Sequence, residues 1–141
     1  MTQLENKMKK IVLGSNGFIA KSLRDQVKNS RTDFLFIGKD KINFLNKNSV
    51  TKFKKILNKE KKIILIIISA IAPAKNIEDY YKNTLIMKNI LISLDEKKIK
   101  KIIYISSDAV YSDTKKKITE ISETNPNNFH GLMHLNREKM I

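Results

Sequence analysis

Two short stretches of this 141-residue chain hold residue types whose spacing can do chemistry. The first is Gly14-Ser15-Asn16-Gly17-Phe18-Ile19-Ala20, which follows the β-rich run Lys9-Lys10-Ile11-Val12-Leu13 and opens a helical pattern with Leu23 and Val27 on one face. Glycine at such a turn lets the backbone approach a pyrophosphate closely, and the free N–H groups of the following helix, with its dipole, stabilise phosphate charge. Gly14, Ser15, Asn16, Gly17, Phe18 and Ile19 are the expected phosphate cradle. The spacing is GxxGxxA, and Ala20 is small enough to keep helix and sheet close. The second stretch is His130-Gly131-Leu132-Met133-His134, two imidazoles one helical turn apart. Imidazole exchanges protons near neutral pH, and an i, i+4 pair can also ligate a metal. No metal is expected, because HGLMH lacks the glutamate of HExxH and the chain offers neither a third histidine nor a cysteine.

The elements around these residues must position them. The first strand and the apolar run Asp33-Phe34-Leu35-Phe36-Ile37-Gly38 lie one helix length apart, as a parallel crossover requires. Residues 39–46 leave room for a brief further strand. Val50, Phe53, Ile56 and Leu57 recur at helical spacing and predict a helix over residues 48–59. Lys62 to Ala70 is almost continuously apolar and β-branched, the pattern of a central strand covered on both faces. Beyond Pro73, the residues Ile77, Tyr80, Tyr81, Thr84, Leu85, Lys88, Leu91 and Leu94 trace a long amphipathic helix, in which Tyr80, Tyr81 and Met87 are expected to pack. Lys100 to Ser107 is the next strand, residues 114–128 are polar loop, and a last helix starts near His130. The pattern is α/β, one domain over residues 1–141, with a parallel sheet and no internal repeat.

Composition narrows the class further. The chain is 41% apolar, enough for a core. It has no cysteine, which excludes disulfides, thiol nucleophiles and cysteine-held zinc or iron-sulfur sites and fits a cytoplasmic protein. The N-terminal apolar run is too short for a signal peptide, and Ile63 to Ala74 falls below the roughly 20 residues of a membrane span, so no membrane partner is expected. The formal charge is +14, which invites a nucleic-acid reading. That reading is set aside, because 25 of the 28 basic residues are lysine and phosphate or base recognition draws on the arginine fork. Binding with a steep salt dependence would restore it.

The glycine turn and three further stretches, which fall along the chain in the family's order, resemble the extended short-chain dehydrogenase/reductase family, NAD(P)-dependent epimerases, dehydratases and reductases that act largely on nucleotide-activated sugars. Tyr104-Ile105-Ser106-Ser107-Asp108-Ala109-Val110-Tyr111 is similar to the family's strand signature, in which the residue at Ser107 hydrogen-bonds the substrate. Asn83-Thr84 with Asn89-Ile90-Leu91 resembles the NxxGTxNLL helix, with Ile86 or Met87 in place of glycine. His130 to Glu138 resembles YGxxKxxxE, the stretch holding the catalytic tyrosine and lysine.

The resemblance implies a Rossmann-type parallel sheet flanked by helices, with its C-terminal half incomplete and the substrate lobe absent. It implies an NADP or NAD cofactor, held by the glycine turn together with Lys39, Asp40, Ala70 and Asn83, and hydride transfer on a nucleotide sugar or a related hydroxy or keto substrate. Ser107, His130 and His134 take the catalytic positions. Histidine at both tyrosine and lysine positions departs from the family, since a neutral imidazole supplies no fixed charge, and a register with Phe129 at the tyrosine position would remove the acid/base altogether. The alternative is a dinucleotide-binding or scaffold domain without catalysis. At the end of the second strand, Gly38 followed by Lys39 leans toward the 2′-phosphate of NADP, while Asp40 keeps the 2′-hydroxyl of NAD open. Family members continue well beyond the last helix, so the chain is expected to be a truncated or split product, or a relative without activity. An apolar sheet edge left uncovered after the Lys100–Ser107 strand predicts self-association.

Overall fold

The computed structural model describes residues 8–115 and 117–141. In chain order it forms β1 (Lys9–Leu13), α1 (Phe18–Val27), β2 (Phe34–Ile37), α2 (Ser49–Leu57), β3 (Ile63–Ile67), α3 (Ile77–Leu91), β4 (Ile99–Tyr104), a 3-10 turn at Asp108–Val110 and α4 (Phe129–Met140). The four strands make one parallel sheet in the order β2-β1-β3-β4, flanked by helices in the Rossmann manner. Two compact units make up the chain: Met1–Ser69 with Asn89–Ile105, and Ala70–Lys88 with Ser106–Ile141.

The first unit contains the sheet. Ile11 is in register with Leu35 on one side and Leu65 on the other, and Leu65 with Ile102 beyond it. Ile11, Val12, Leu13, Ile63, Leu65 and Ile67 have no exposed surface, so the two inner strands form the core. Ile64 and Ile66 are only half-buried, so β3 alternates where an evenly buried strand was expected. From β1 the chain passes to β2 on one side and then to β3 on the other. Ligands of open α/β sheets bind at this reversal, outside the carboxyl ends of the strands.

No strand forms over residues 39–46. The Gly38 carbonyl accepts from the N–H groups of Lys41 and Ile42 at 3.1 and 3.0 Å, closing a turn instead. Ile42 and Phe44 are buried from this irregular segment, Phe44 edge-on to Phe53 of α2 at 5.3 Å. Their apolar character reflects core filling rather than pairing. Asn89 secures the segment by donating to the Phe44 carbonyl at 2.7 Å.

In the second unit α3 and α4 are each set by an asparagine cap. Asn76 Oδ1 accepts from the Asp79 N–H at 2.9 Å, and Glu78 and Asp79 place negative charge in the first turn of α3. Asn128 Oδ1 accepts from the Gly131 N–H at 2.9 Å, which starts α4 at Phe129. Asn136 of α4 donates to Thr84 Oγ1 of α3 at 3.1 Å. Met87 is fully buried as expected, whereas Tyr81 is 61% exposed and does not pack.

Candidate functional site

The glycine turn lies at the carboxyl end of β1, at the reversal of strand order. Gly14 has φ +97°, and a Cβ there would stand 2.6 Å from the Ser69 nitrogen, so both conformation and the neighbouring chain require glycine. Its N–H and that of Ser15 donate to the Ile37 carbonyl at 2.9 and 3.2 Å. Ser15 is buried, and its carbonyl accepts from Arg24, whose guanidinium also lies 4.8 Å from the centre of the Phe36 ring. Gly17 is the N-cap of α1 in an extended conformation, with no side-chain cap and no acidic residue in the first turn. A Cβ at Gly17 would meet only the Gly14 carbonyl oxygen, at 3.5 Å. The first N–H groups of α1 therefore have no capping side chain, and their partial positive charge suits an anion. Phe18 is 87% exposed and Ile19 also lies at the surface, whereas Ala20 is fully buried and lets the helix approach the sheet.

At the end of β2, Asp40 is joined to this turn. Asn16 Nδ2 donates to Asp40 Oδ1 at 3.1 Å, and Ser15 Oγ donates to Asn16 Oδ1 at 3.1 Å. A Cβ at Gly38 would fall within 2.8 Å of all three side chains, so glycine there keeps room for them. Lys39 and Asp40 are both exposed. Asp40 thus belongs structurally to the glycine turn, a link that spacing along the chain does not reveal.

The remaining candidates lie in the second unit. Ala70 is half-buried at its start. Asn83 is fully buried, and its amide bonds backbone only: Oδ1 accepts from the Ile71 N–H, and Nδ2 donates to the carbonyls of Ile71 and Asp79, each at 2.9 Å. Ser107 Oγ accepts from the Ala109 N–H at 3.2 Å and donates to Asp108 Oδ1 at 3.3 Å, capping the 3-10 turn. Beside it Ser106 donates to the Glu138 carboxylate of α4. His130 is half-buried, and its Nδ1 accepts from the Ala74 N–H at 3.4 Å. The rings of His130 and His134 meet edge to face, 4.7 Å apart. Among the described residues, no group of three His, Cys, Asp or Glu side chains is placed to hold a metal.

His134 is 6% exposed and Arg137, one turn on, is fully buried with Nη1 4.0 Å from Met133 Sδ. Sequence reading missed Arg137, although its helical spacing from Met133 and His134 places it on their face. Burial holds the His134 pKa down to about 4, and the neighbouring charges of His130 and Arg137 push the same way. His134 is therefore neutral at pH 7 and does not reproduce the charge of a lysine. The unfolded chain takes up this proton near the ordinary histidine pKa of about 6.5, while the folded chain resists it until about pH 4. Stability from this group is therefore fully present above pH 6.5 and falls as the pH drops toward 4, by an amount on the order of 3 kcal/mol. Thermal midpoints measured from pH 7.5 to 4 should fall accordingly, and His134→Asn should flatten that part of the decline. An unchanged slope in the variant would show that His134 is not its source.

The chain matches the family model described as NAD dependent epimerase/dehydratase family over residues 10–141. No curated protein matches it. Among solved structures it is similar to a dTDP-4-dehydrorhamnose reductase from Clostridium acetobutylicum, with 25% identity and a TM-score of 0.73 over 94% of this chain and 48% of that one. It is also similar to the same kind of reductase from Bacillus anthracis in complex with NADP, with 20% identity and a TM-score of 0.78 over 94% and 48% of the two chains. A UDP-glucose 4-epimerase from Thermus thermophilus in complex with NAD gives a TM-score of 0.80 at 14% identity, over 94% and 49%. The chain thus spans about half the length of these proteins. Among the described residues no helix is long and apolar enough to cross a membrane. With the glycine turn at the strand reversal and a family match running from β1 to the end of α4, the chain belongs to the NAD dependent epimerase/dehydratase family.

Proposed function

We propose that this chain binds a nicotinamide dinucleotide, with the pyrophosphate against the Gly14–Ile19 turn and the first N–H groups of α1, and supplies part of an epimerase, dehydratase or reductase of nucleotide-activated sugars. One observation carries the reading: α1 begins on an uncapped turn where a Cβ at Gly17 would make only one contact, an ordinary one of 3.5 Å with the Gly14 carbonyl oxygen. Gly14 is required by the fold, but nothing in the protein requires glycine at 17. A phosphate approaching the backbone does. The residues present fit such a group.

When bound, the nicotinamide ring supplies or accepts a hydride. The chain's own residues do the rest. Gly14 and Gly17 shape the turn, Ser15 and Asn16 hold Asp40 beside it, and Lys39 and Asp40 contact the adenosine ribose. Ala70 lines the nicotinamide end. Ser107 orients the substrate's reacting oxygen, and His130 hydrogen-bonds to that oxygen where the family places tyrosine. The neutral His134 favours a second reading, a dinucleotide-binding domain without turnover, since the fixed cation of the family's lysine is missing.

Asp40 opposes a 2′-phosphate by like charge, and Lys39 favours it. Replacing Asp40 with Asn keeps an oxygen acceptor for Asn16 and removes the charge. Affinity for NADPH relative to NADH should then rise about fivefold, the worth of one exposed charge interaction of about 1 kcal/mol. Fluorescence titration of both cofactors against wild type and Asp40→Asn checks this. Equal effects on both cofactors would place the ribose elsewhere, and no binding of either to the folded wild type would overturn the proposal.

A further inference from the structure

We infer that His130 is held as the neutral tautomer with its proton on Nε2, and that Asn83 is the positioning residue that fixes it, acting through the backbone of residues 71–74. The inference rests on the reading of His130 as the group facing the reacting oxygen and refines what it does there. Ala74 is 5% exposed, so its N–H must find an acceptor within the protein. The acceptor is His130 Nδ1. A ring nitrogen that accepts a hydrogen bond carries no proton, so the proton of the neutral ring sits on Nε2.

The segment that delivers this N–H has no helix or strand of its own. It is held at both ends by α3. At one end Asn83 clamps Ile71 with its acceptor and a donor, and its second donor ties the clamp to the Asp79 carbonyl. At the other end the Lys75 N–H donates to the Asp79 carboxylate at 2.9 Å. The buried amide is fully matched with backbone partners, so Asn83 acts on Ile71 and, through it, on the placement of Ala74. His134 packs edge-on against the same imidazole from its own helix.

The chemical consequence is a change of role. Giving up the Nε2 proton would leave an anionic ring, and refilling Nδ1 would break the bond to Ala74. His130 therefore acts as a neutral hydrogen-bond donor that stabilises negative charge developing on the substrate oxygen. A neutral imidazole can polarise a carbonyl in this way without releasing its proton.

The test is the long-range proton–nitrogen correlation spectrum of the histidine rings at pH 7.5, recorded on the full chain. Wild type should show the Nε2–H pattern for His130. An Nδ1–H pattern or a protonated ring in wild type would overturn the inference outright. In Asn83→Ala the ratio of Nε2–H to Nδ1–H should fall about fivefold, the worth of one hydrogen bond of about 1 kcal/mol. Asn83→Asp keeps the acceptor for the Ile71 N–H but loses both donors, and serves if the alanine variant does not fold. An unchanged ratio in a folded variant would overturn the role of Asn83. Turnover is read separately: an Nε2–H ring in a chain that binds cofactor but shows no hydride transfer supports the tautomer and counts against the catalytic reading.

Discussion

Alanine at position 131 is expected to lower the thermal midpoint by about 8 °C, corresponding to about 2 kcal/mol for a chain of this size. The added Cβ would stand 1.9 Å from the Ala109 carbonyl oxygen, 2.7 Å from its carbon and 2.8 Å from Pro126 Cβ. Two of these three atoms are backbone of the 3-10 turn, which cannot swing aside as a side chain can. Forcing a methyl group into a packed contact typically costs 1–3 kcal/mol, and the 1.9 Å approach to backbone puts this site at the upper end. Helix propensity works the other way, since alanine is favoured over glycine inside a helix by about 1 kcal/mol. The steric term wins. Because Ser107 caps the turn that would be displaced, its bonds to Ala109 and Asp108 should be disturbed as well. Melting followed by circular dichroism checks the stability term, and a midpoint raised in Gly131→Ala would mean that propensity alone governs this position.

The strands were legible because the sheet is parallel and its inner members are apolar on consecutive residues, as in Ile11, Val12 and Leu13 of β1 and Ile63–Ile67. The glycine turn was legible because a φ of +97° at Gly14 and an uncapped helix start leave a mark in residue type. Other features left no such mark. Asp40 reaches the turn through Asn16, 24 positions away, a contact made by the fold and not by spacing. The short, mixed segment 39–46 left room for a brief strand, yet the Gly38 carbonyl captures two N–H groups and turns the chain first. Arg137 was not singled out in the sequence, since nothing in the charge pattern marks one cation for burial, whereas helical geometry buries it beside His134. The bond between Ala74 and His130 joins positions 56 apart and involves a backbone group, which no motif can encode.

Gly14 and Gly17 look alike in sequence, but the structure separates their roles: one serves the fold and the other the pyrophosphate site. Alanine at 14 would meet the Ser69 nitrogen and a left-handed backbone, so it should damage the fold. Alanine at 17 has an ordinary extended conformation and a single contact at 3.5 Å. It should cost the free protein only about 1 kcal/mol or less, the difference between glycine and alanine at an N-cap. Its methyl group would nevertheless stand between the α1 N–H groups and an approaching pyrophosphate. The expected loss in dinucleotide affinity is tenfold or more, equivalent to at least about 1.4 kcal/mol.

The most direct measurement is therefore a calorimetric titration of NADH and NADPH into folded wild type and Gly17→Ala at matched concentrations. A pyrophosphate site at this turn predicts saturable binding of at least one cofactor to wild type and at least tenfold weaker binding to the variant, with both proteins melting cooperatively at similar temperatures. Absence of binding to the folded wild type, or equal affinity in the variant, would contradict a pyrophosphate site at the Gly14–Ile19 turn.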